Sequence, residues 1–415
     1  MSKNLSAEAK RVLFLLRARQ ICYGFCWGVL SFFVIFLSGT GMDPQTVGLV
    51  MTLNSIAGIV SPPFWGMIGD KLGSRKMLLF WLLIIAGLLV AFVPPSATIN
   101  VFGVSLVVFV LPLSTFFRQP TSAMMDAMIV GAAEQFEGMS YSNIRVFSSI
   151  SFLIINPLYP VLNGKFGVAF AFYSFLVFAW ATAFFNLKLK DYRSHGEAVA
   201  HHKGQPKQKL HLSRIFKDYY LVTFLIFIFI ARMPSQAYFF LNYLLEDVGG
   251  DANIMGILVA IKTCGEVLML SCSNRMKKYL SLPQLIVLGA SLYGLEQLLY
   301  PLCTATWQVT IVNLLDGMGF GTFLGSAVNY VYSLAPKGLE TTATTLYGAG
   351  MGIGGIIASS FGGWAIAAHG IKWMYGVNGI IMVVIIALFL LSFWFGKKVL
   401  KKEPPIPFRL NKQKA

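Results

Sequence analysis

The chain is dominated by apolar segments of about twenty residues separated by short polar turns. Such a segment crosses a bilayer as a helix, because a helix rises about 1.5 Å per residue through a hydrocarbon layer of about 30 Å. Twelve segments are predicted, over 13–38, 45–68, 77–95, 100–130, 142–163, 167–187, 219–244, 252–273, 283–303, 307–334, 341–367 and 372–396. The one long polar stretch, 188–218, falls between the sixth and seventh. It divides the chain into an N-terminal half (1–187), a linker (188–218), a C-terminal half (219–397) and a basic tail (398–415). The expected fold class is an all-α membrane protein with twelve transmembrane helices in two six-helix halves.

Composition closes off the alternatives. Of 415 residues, 56% are hydrophobic and only 12% charged, about half the charge of a soluble domain. A cytosolic enzyme, a disordered chain and a secreted disulfide scaffold are excluded. Cys22, Cys26, Cys264, Cys272 and Cys303 lie in or beside apolar runs without metal-ligand spacing, and read as small packing residues. The first apolar segment holds Arg17 and Arg19 and runs into further spans, so it reads as a first helix rather than a cleaved leader.

The net charge of +16 would suggest nucleic acid in a soluble protein. Here its distribution records topology. Most of the 33 Lys and Arg residues fall on the side that holds both termini and the linker, and Lys165 and Lys372 fall on the other. The positive-inside rule then puts both termini and the linker in the cytoplasm, as in an inner-membrane protein. The basic linker is expected near anionic lipid heads, with no nucleic-acid partner. Its His195, His201 and His202 read as a solvated polar tract. Arg17 and Arg19, at the cytoplasmic end of helix one, are expected to snorkel.

After helix two comes Gly66-Met67-Ile68-Gly69-Asp70-Lys71-Leu72-Gly73-Ser74-Arg75-Lys76. Gly73 allows a tight turn, Asp70 can cap or pair, and Arg75 and Lys76 can anchor at headgroups. A weaker copy, Asn274-Arg275-Met276-Lys277-Lys278, follows helix eight and lacks the Asp and Gly. The first loop resembles the signature of the major facilitator superfamily. That resemblance implies the major facilitator fold, a gating loop formed by Gly66, Asp70, Lys71, Gly73, Arg75 and Lys76, and a solute site at the midplane between the halves.

Helices four and five carry Asp126 and then Tyr141-Ser142-Asn143-Ile144-Arg145-Val146-Phe147-Ser148-Ser149-Ile150-Ser151-Phe152. They are similar to the lactose permease and phenylpropionate permease branch of proton symporters. There an acid on helix four and an Arg opening helix five bind the sugar, and an aromatic residue seven positions on stacks against it. Asp126, Arg145 and Phe152 fill those positions. Cys264-Gly265-Glu266 resembles the segment whose Glu serves binding and coupling. Departures fall on helices nine and ten. Leu295, beside Glu296, stands at the Arg position, Asp316 at the His position and Gly319 at the Glu position. Phe152 stands where the lactose permease pattern has Trp.

Ionisable groups at membrane depth are expensive unless paired or hydrated, and mark functional sites. Four acids (Asp126, Glu266, Glu296, Asp316) face four bases (Arg118, Arg145, Arg232, Lys262), and their charges are expected to cancel. Arg118, Ser122 and Asp126 share one face of helix four, and Arg118 can lie near an aqueous edge. Arg145, Phe152 and Asn156 make a polar stripe on helix five. Lys262 and Glu266, four residues apart, are expected to touch. The candidate solute-binding set is Asp126, Arg145, Phe152, Asn156, Lys262, Glu266, Tyr23 and Trp27, with Tyr238 and Tyr347 as further aromatic candidates. No His lies inside a predicted span, so a proton carrier would have to be a carboxylate, with Glu266, Asp316 and Glu296 as candidates. The glycine run of helix eleven, Gly348 to Gly355, allows close packing. Pro120, Pro157 and Pro160 can kink helices four and five.

The chain shows no phosphate loop, metal cluster or nucleophile triad, so neither an enzyme nor a cofactor is expected. The expected partners are a small-molecule solute, a proton and the lipid bilayer, with the protein a monomer. The expected function is proton-coupled uptake of a small polar solute, with sugars or oligosaccharides first and aromatic acids or nucleosides next. Proton-driven efflux of amphipathic compounds and a non-transporting sensor are the alternatives from other classes.

Overall fold

The computed structural model describes residues 6–72, 74–136, 139, 141–192, 217–251, 254–336 and 340–408. Gly73, His195, His201, His202 and Lys337 lie outside them, as do the side chains of Asp70, Lys71 and Asn274. Among the described residues there are twelve helical rods. In the first part of the chain they are α1 (Ala7–Gly39), α2 (Pro44–Leu72), α3 (Arg75–Ala97), α4 (Val107–Gln135), α5 (Tyr141–Phe166) and α6 (Ala169–Leu187). In the second part they are α7 (Tyr219–Asp247), α8 (Met255–Met276), α9 (Leu282–Leu302), α10 (Thr306–Leu334), α11 (Glu340–His369) and α12 (Ile371–Lys398). Hydrocarbon offers no partner for a free N–H or C=O, so closed helical hydrogen bonding is forced on each span. Ten of the rods are apolar and long enough to cross a membrane by composition. The two outside that set, α4 and α8, carry Arg118 and Asp126, and Lys262 and Glu266.

The ends follow ordinary capping chemistry. Ser6 accepts from Ala9 N at 3.2 Å at the start of α1, and Asp218 from Leu221 N at 2.9 Å at the start of α7. Ser281 and Gln284 form a reciprocal capping box on α9. Helix α4 begins at Val107, later than the expected 100. Asn100–Val101 and Val104–Ser105 form a two-stranded hairpin, β1 and β2, turned by Phe102 and Gly103 at φ 51° and 80°. Two positive φ values match a tight primed turn, which a glycine favours.

The contacts divide the chain into two compact units. One comprises Met1–Met42 and Leu53–Gln208, the other Asp43–Thr52 and Lys209–Ala415. In the first, α1 packs on α5 and α6, and α3 on α4 and α6. The second repeats these pairs six helices later, with α7 on α11 and α12, and α9 on α10 and α12. This pairing repeat runs deeper than the loop signature. The first unit's core joins Leu16, Ile129 and Ile144, with a second cluster around Leu79, Leu82 and Met125. The second unit's core is aromatic, with Phe227 stacked on Phe389 at 4.5 Å. Trp81, Val177, Ile380 and Leu391 are exposed, as lipid-facing positions should be.

Helix α2 starts on Asp43, whose carboxylate accepts from Thr46 N at 2.9 Å and from Thr46 Oγ1 at 2.7 Å, with Pro44 in the first turn. The Thr46 hydrogen bonds hold this exposed carboxyl below its usual value. Asp43→Ala should therefore destabilise the protein by about 1 kcal/mol. The sign follows from the lowered value: the contribution is complete above about pH 4 and disappears as pH falls through it. Thermal unfolding in detergent at pH 7 and pH 3 checks this, because the gap between wild type and variant should close only at the lower pH.

Candidate functional site

In the first unit, α4 and α5 bring Asp126 and Arg145 together, with Arg145 Nε 3.3 Å from Asp126 Oδ1. Their side chains are 30% and 33% exposed, so the pair is half-buried. Arg145 also bonds Ser148 on its own helix. Phe152 lies two turns along α5, half-buried, and its carbonyl accepts from Asn156 Nδ2 at 2.8 Å. Asn156 is fully buried and takes a hydrogen bond from Ser31 Oγ at 3.2 Å. Tyr23 is buried with its hydroxyl 2.9 Å from Thr121 Oγ1, and its ring meets Trp27 edge-on at 6.0 Å.

Two arginines of this unit behave differently from expectation. Arg19 does not snorkel. It is fully buried and donates to Asn186 Oδ1 at 3.1 Å, Met125 O at 3.2 Å and Met128 Sδ at 3.6 Å. The sequence held a signal for this, since Leu15, Arg19 and Tyr23 recur every four residues along one buried face. Arg118 is 6% exposed rather than at an aqueous edge, with Trp27 and Phe33 ring centroids 5.8 and 6.0 Å from its guanidinium. The expected cancellation of four buried bases by four acids therefore fails, because Arg19 is a fifth.

The gating-loop residues anchor to the end of α6. Arg75 N donates to Asp191 Oδ2 at 3.0 Å, and Lys76 O accepts from Asn186 Nδ2 at 3.0 Å. Gly66 faces open space.

In the second unit, Lys262 does not pair with Glu266 one turn along α8. Its ammonium lies 2.6 Å from Asp316 Oδ2 on α10 and 3.6 Å above the Tyr238 ring. The cause is the close approach of the two helices. A Cβ on Gly317 would overlap the Lys262 carbonyl, and one on Gly321 would lie 2.6 Å from Glu266 O. These two glycines bring the backbones together and set Asp316 within reach of Lys262. The sequence reading singled out the glycines of α11 instead, where Gly348 and Gly350 face open space and Gly354 packs on Phe229 and Arg232.

Asp316 and Glu296 are each 1% exposed. Among the described residues Glu296 has no basic partner and Glu266 none within 4 Å. Beside Glu296, Tyr300 donates to Asn313 Oδ1 at 3.4 Å, and Asn313 Nδ2 to Leu258 O at 2.6 Å. Arg232 reaches Ser235 Oγ at 3.4 Å and lines a narrow cleft with Tyr293, Phe320, Phe323 and Tyr347.

Two six-helix bundles with a repeated packing order, each carrying buried charges, define a multi-pass membrane transporter of the major facilitator fold. The chain belongs to the MFS_1 like family, whose model matches residues 18–377. It is 25% identical over 364 residues to the uncharacterized transporter YwbF of Bacillus subtilis (strain 168), covering 82% of this chain and 83% of that one. It is 24% identical over 336 residues to the maltose permease of Geobacillus stearothermophilus, covering 81% of each. Its fold matches the crystal structure of the nucleoside transporter NupG with a TM-score of 0.75 at 16% identity, covering 92% of this chain and 99% of that one. The likeness to the lactose permease branch rests on the local motifs of α4, α5 and α8.

If Gly317 sets the helix spacing, Gly317→Ala must push α8 from α10 and lose the Lys262–Asp316 contact. Overpacking of this kind costs about 1–3 kcal/mol. Gly348→Ala, where the space is open, should be neutral or slightly stabilising, since Ala is the better helix former. Melting curves of the two variants in detergent separate them. Equal melting temperatures would show that the crossing is not set at Gly317.

Proposed function

We propose that this transporter is a proton-coupled symporter that takes up a small polar solute, a sugar or oligosaccharide, by alternating access. The observation that carries the reading is the Lys262–Asp316 pair, an acid 2% exposed held by a lysine 21% exposed at 2.6 Å. A proton on Asp316 removes the charge that holds Lys262, and Glu266 lies one turn away on α8 to receive the freed ammonium. Protonation is thereby converted into a change of side-chain partners, which alternating access requires. Asp126, Arg145 and Phe152 supply charged and stacking contacts of the kind a hydroxylated solute uses, while Asn156, fully buried and bonded to Ser31 and Phe152, acts from behind them. The likeness to a maltose permease supports a sugar. The energy source is the proton gradient, with no cofactor. The protein works as a monomer in the inner membrane with both termini in the cytoplasm, where the basic linker and tail meet anionic lipid.

A second reading, a nucleoside or aromatic solute, is favoured by the ring-lined cleft of Arg232, Tyr293, Phe320 and Tyr347 and by the fold match to a nucleoside transporter.

Cells expressing the protein in weak buffer should alkalinise the medium when given the transported solute. A panel of sugars, nucleosides and aromatic acids in which none raises external pH would remove symport, and drug resistance conferred by expression would point to efflux instead. Asp126→Asn and Arg145→Ala should each abolish uptake, because each removes one half of the pair proposed to orient the solute. Asp316→Asn should retain solute exchange across the membrane while losing accumulation against a gradient. Accumulation at the wild-type level in that variant would rule out Asp316 as the proton carrier.

A further inference from the structure

The buried cations of the first unit are not equally provided for. Arg145 has Asp126. Arg19 has no carboxylate within 4 Å, but it lies in the field of Asp126, and three acceptors surround it in a fully buried position. Arg118 has neither. Its one hydrogen bond to a described residue runs from Nη2 to Thr115 Oγ1 at 3.2 Å, and Nε has no partner although it is buried. Thr115 is itself engaged, donating to Asn54 Oδ1 at 2.5 Å. Asp126 shares the face of α4 but stands two turns on, about 12 Å along the helix axis, and is taken by Arg145. The guanidinium instead meets two aromatic rings and borders a narrow gap lined by Tyr23, Cys26, Trp27 and Phe175.

A guanidinium at membrane depth with no counter-ion is costly, and ring faces compensate only part of the lost hydration. It is retained where a charge arrives from outside the chain. We infer that Arg118 is an anion subsite, and that the transported solute carries a carboxylate which docks on it. The gap is too narrow for a sugar ring, so the body of the solute lies outside it. The unpartnered Nε–H, with the second hydrogen of Nη2 beside it, offers one edge of the guanidinium to the two oxygens of a carboxylate. A single cation with no second base beside it is a weaker host for a phosphate dianion. The solute is accordingly a sugar acid or another small carboxylated compound. This rests on the reading of the chain as a solute symporter and narrows it.

The test uses matched pairs that differ in the carboxylate: glucuronate against glucose, galacturonate against galactose, and benzoate against benzyl alcohol. Thermal stabilisation of the purified full-length protein reads binding without any gradient. In at least one pair the acid should stabilise at a concentration at least tenfold lower than its neutral partner. Arg118→Gln should abolish that preference, and Arg118→Lys should keep part of it, since a lysine supplies the charge without the fork. If Arg118→Gln does not fold, the weakened preference of Arg118→Lys carries the test. The proposal falls if no pair shows the preference in the wild type, or if the preference survives unchanged in the variant that folds. It also falls if chloride or phosphate alone stabilises as well as the acids do. Proton flux on the same panel is read separately with a pH electrode. Selective binding without alkalinisation removes the symport reading and leaves the Arg118 subsite standing.

Discussion

Everything in this structure answers to the cost of leaving a polar group unsatisfied in hydrocarbon. The backbone meets it by closing into helices, and among the described residues a short hairpin, 100–105, caps one span end with strand pairing instead. Side chains meet it less uniformly. Serines and threonines in the spans return their hydroxyls to carbonyls three or four residues back, as Ser114 does to Leu111 O and Thr182 to Phe178 O. Asparagines tie one helix to another, as Asn313 of α10 does to Leu258 O of α8. Charged groups have the fewest ways out, and each way leaves a distinct geometry.

Those geometries depend on helix spacing, which small residues set. Gly317 and Gly321 bring α10 against α8 so closely that a methyl group would strike a carbonyl. At that distance an aspartate, with its single methylene, reaches the lysine of the neighbouring helix. The lysine therefore prefers Asp316, across the interface, to Glu266 on its own helix. Buried pairs of this kind contribute little net stability, because desolvation offsets the attraction. Their value is conformational: they are discrete arrangements that a single proton can exchange.

Much of the fold was legible in the chain. Segments near all twelve rods could be read from the chain, although α4 and α8, which carry buried charges, are less apolar than the other ten. The pairing of Asp126 with Arg145 could be read because the two positions match a known pattern on adjacent helices. What escaped had a common cause. Periodicity shows which residues share a face of one helix but not which helix that face meets. Lys262 was matched to Glu266 because both lie on α8, and the partner on α10 was invisible in one dimension. Arg19 was assigned to the membrane edge by its sequence neighbourhood, whereas its three acceptors, Asn186, Met125 and Met128, lie more than a hundred residues away. The hairpin at 100–105 was hidden inside an apolar run, with Gly103 its only local sign.

The two charge pairs also differ in chemistry, and the difference bears on what each unit can do. Arg145 offers a rigid planar fork, and Ser148 on the same helix holds it further. An aspartate so held is a fixed element, suited to orienting a solute. Lys262 offers a compact ammonium on four flexible carbons, resting on the face of Tyr238 with Asp316 on one side and Glu266 a turn along. An aspartate held by a lysine can lose its partner without rearrangement of the backbone, since the ammonium has a ring face and a second carboxylate within its sweep. A proton arriving at Asp316 therefore meets a low local barrier to exchange, whereas one arriving at Asp126 would leave the Arg145 guanidinium without its counter-ion in a half-buried site. On the proposed symport reading, proton exchange falls to the lysine pair and solute orientation to the arginine pair.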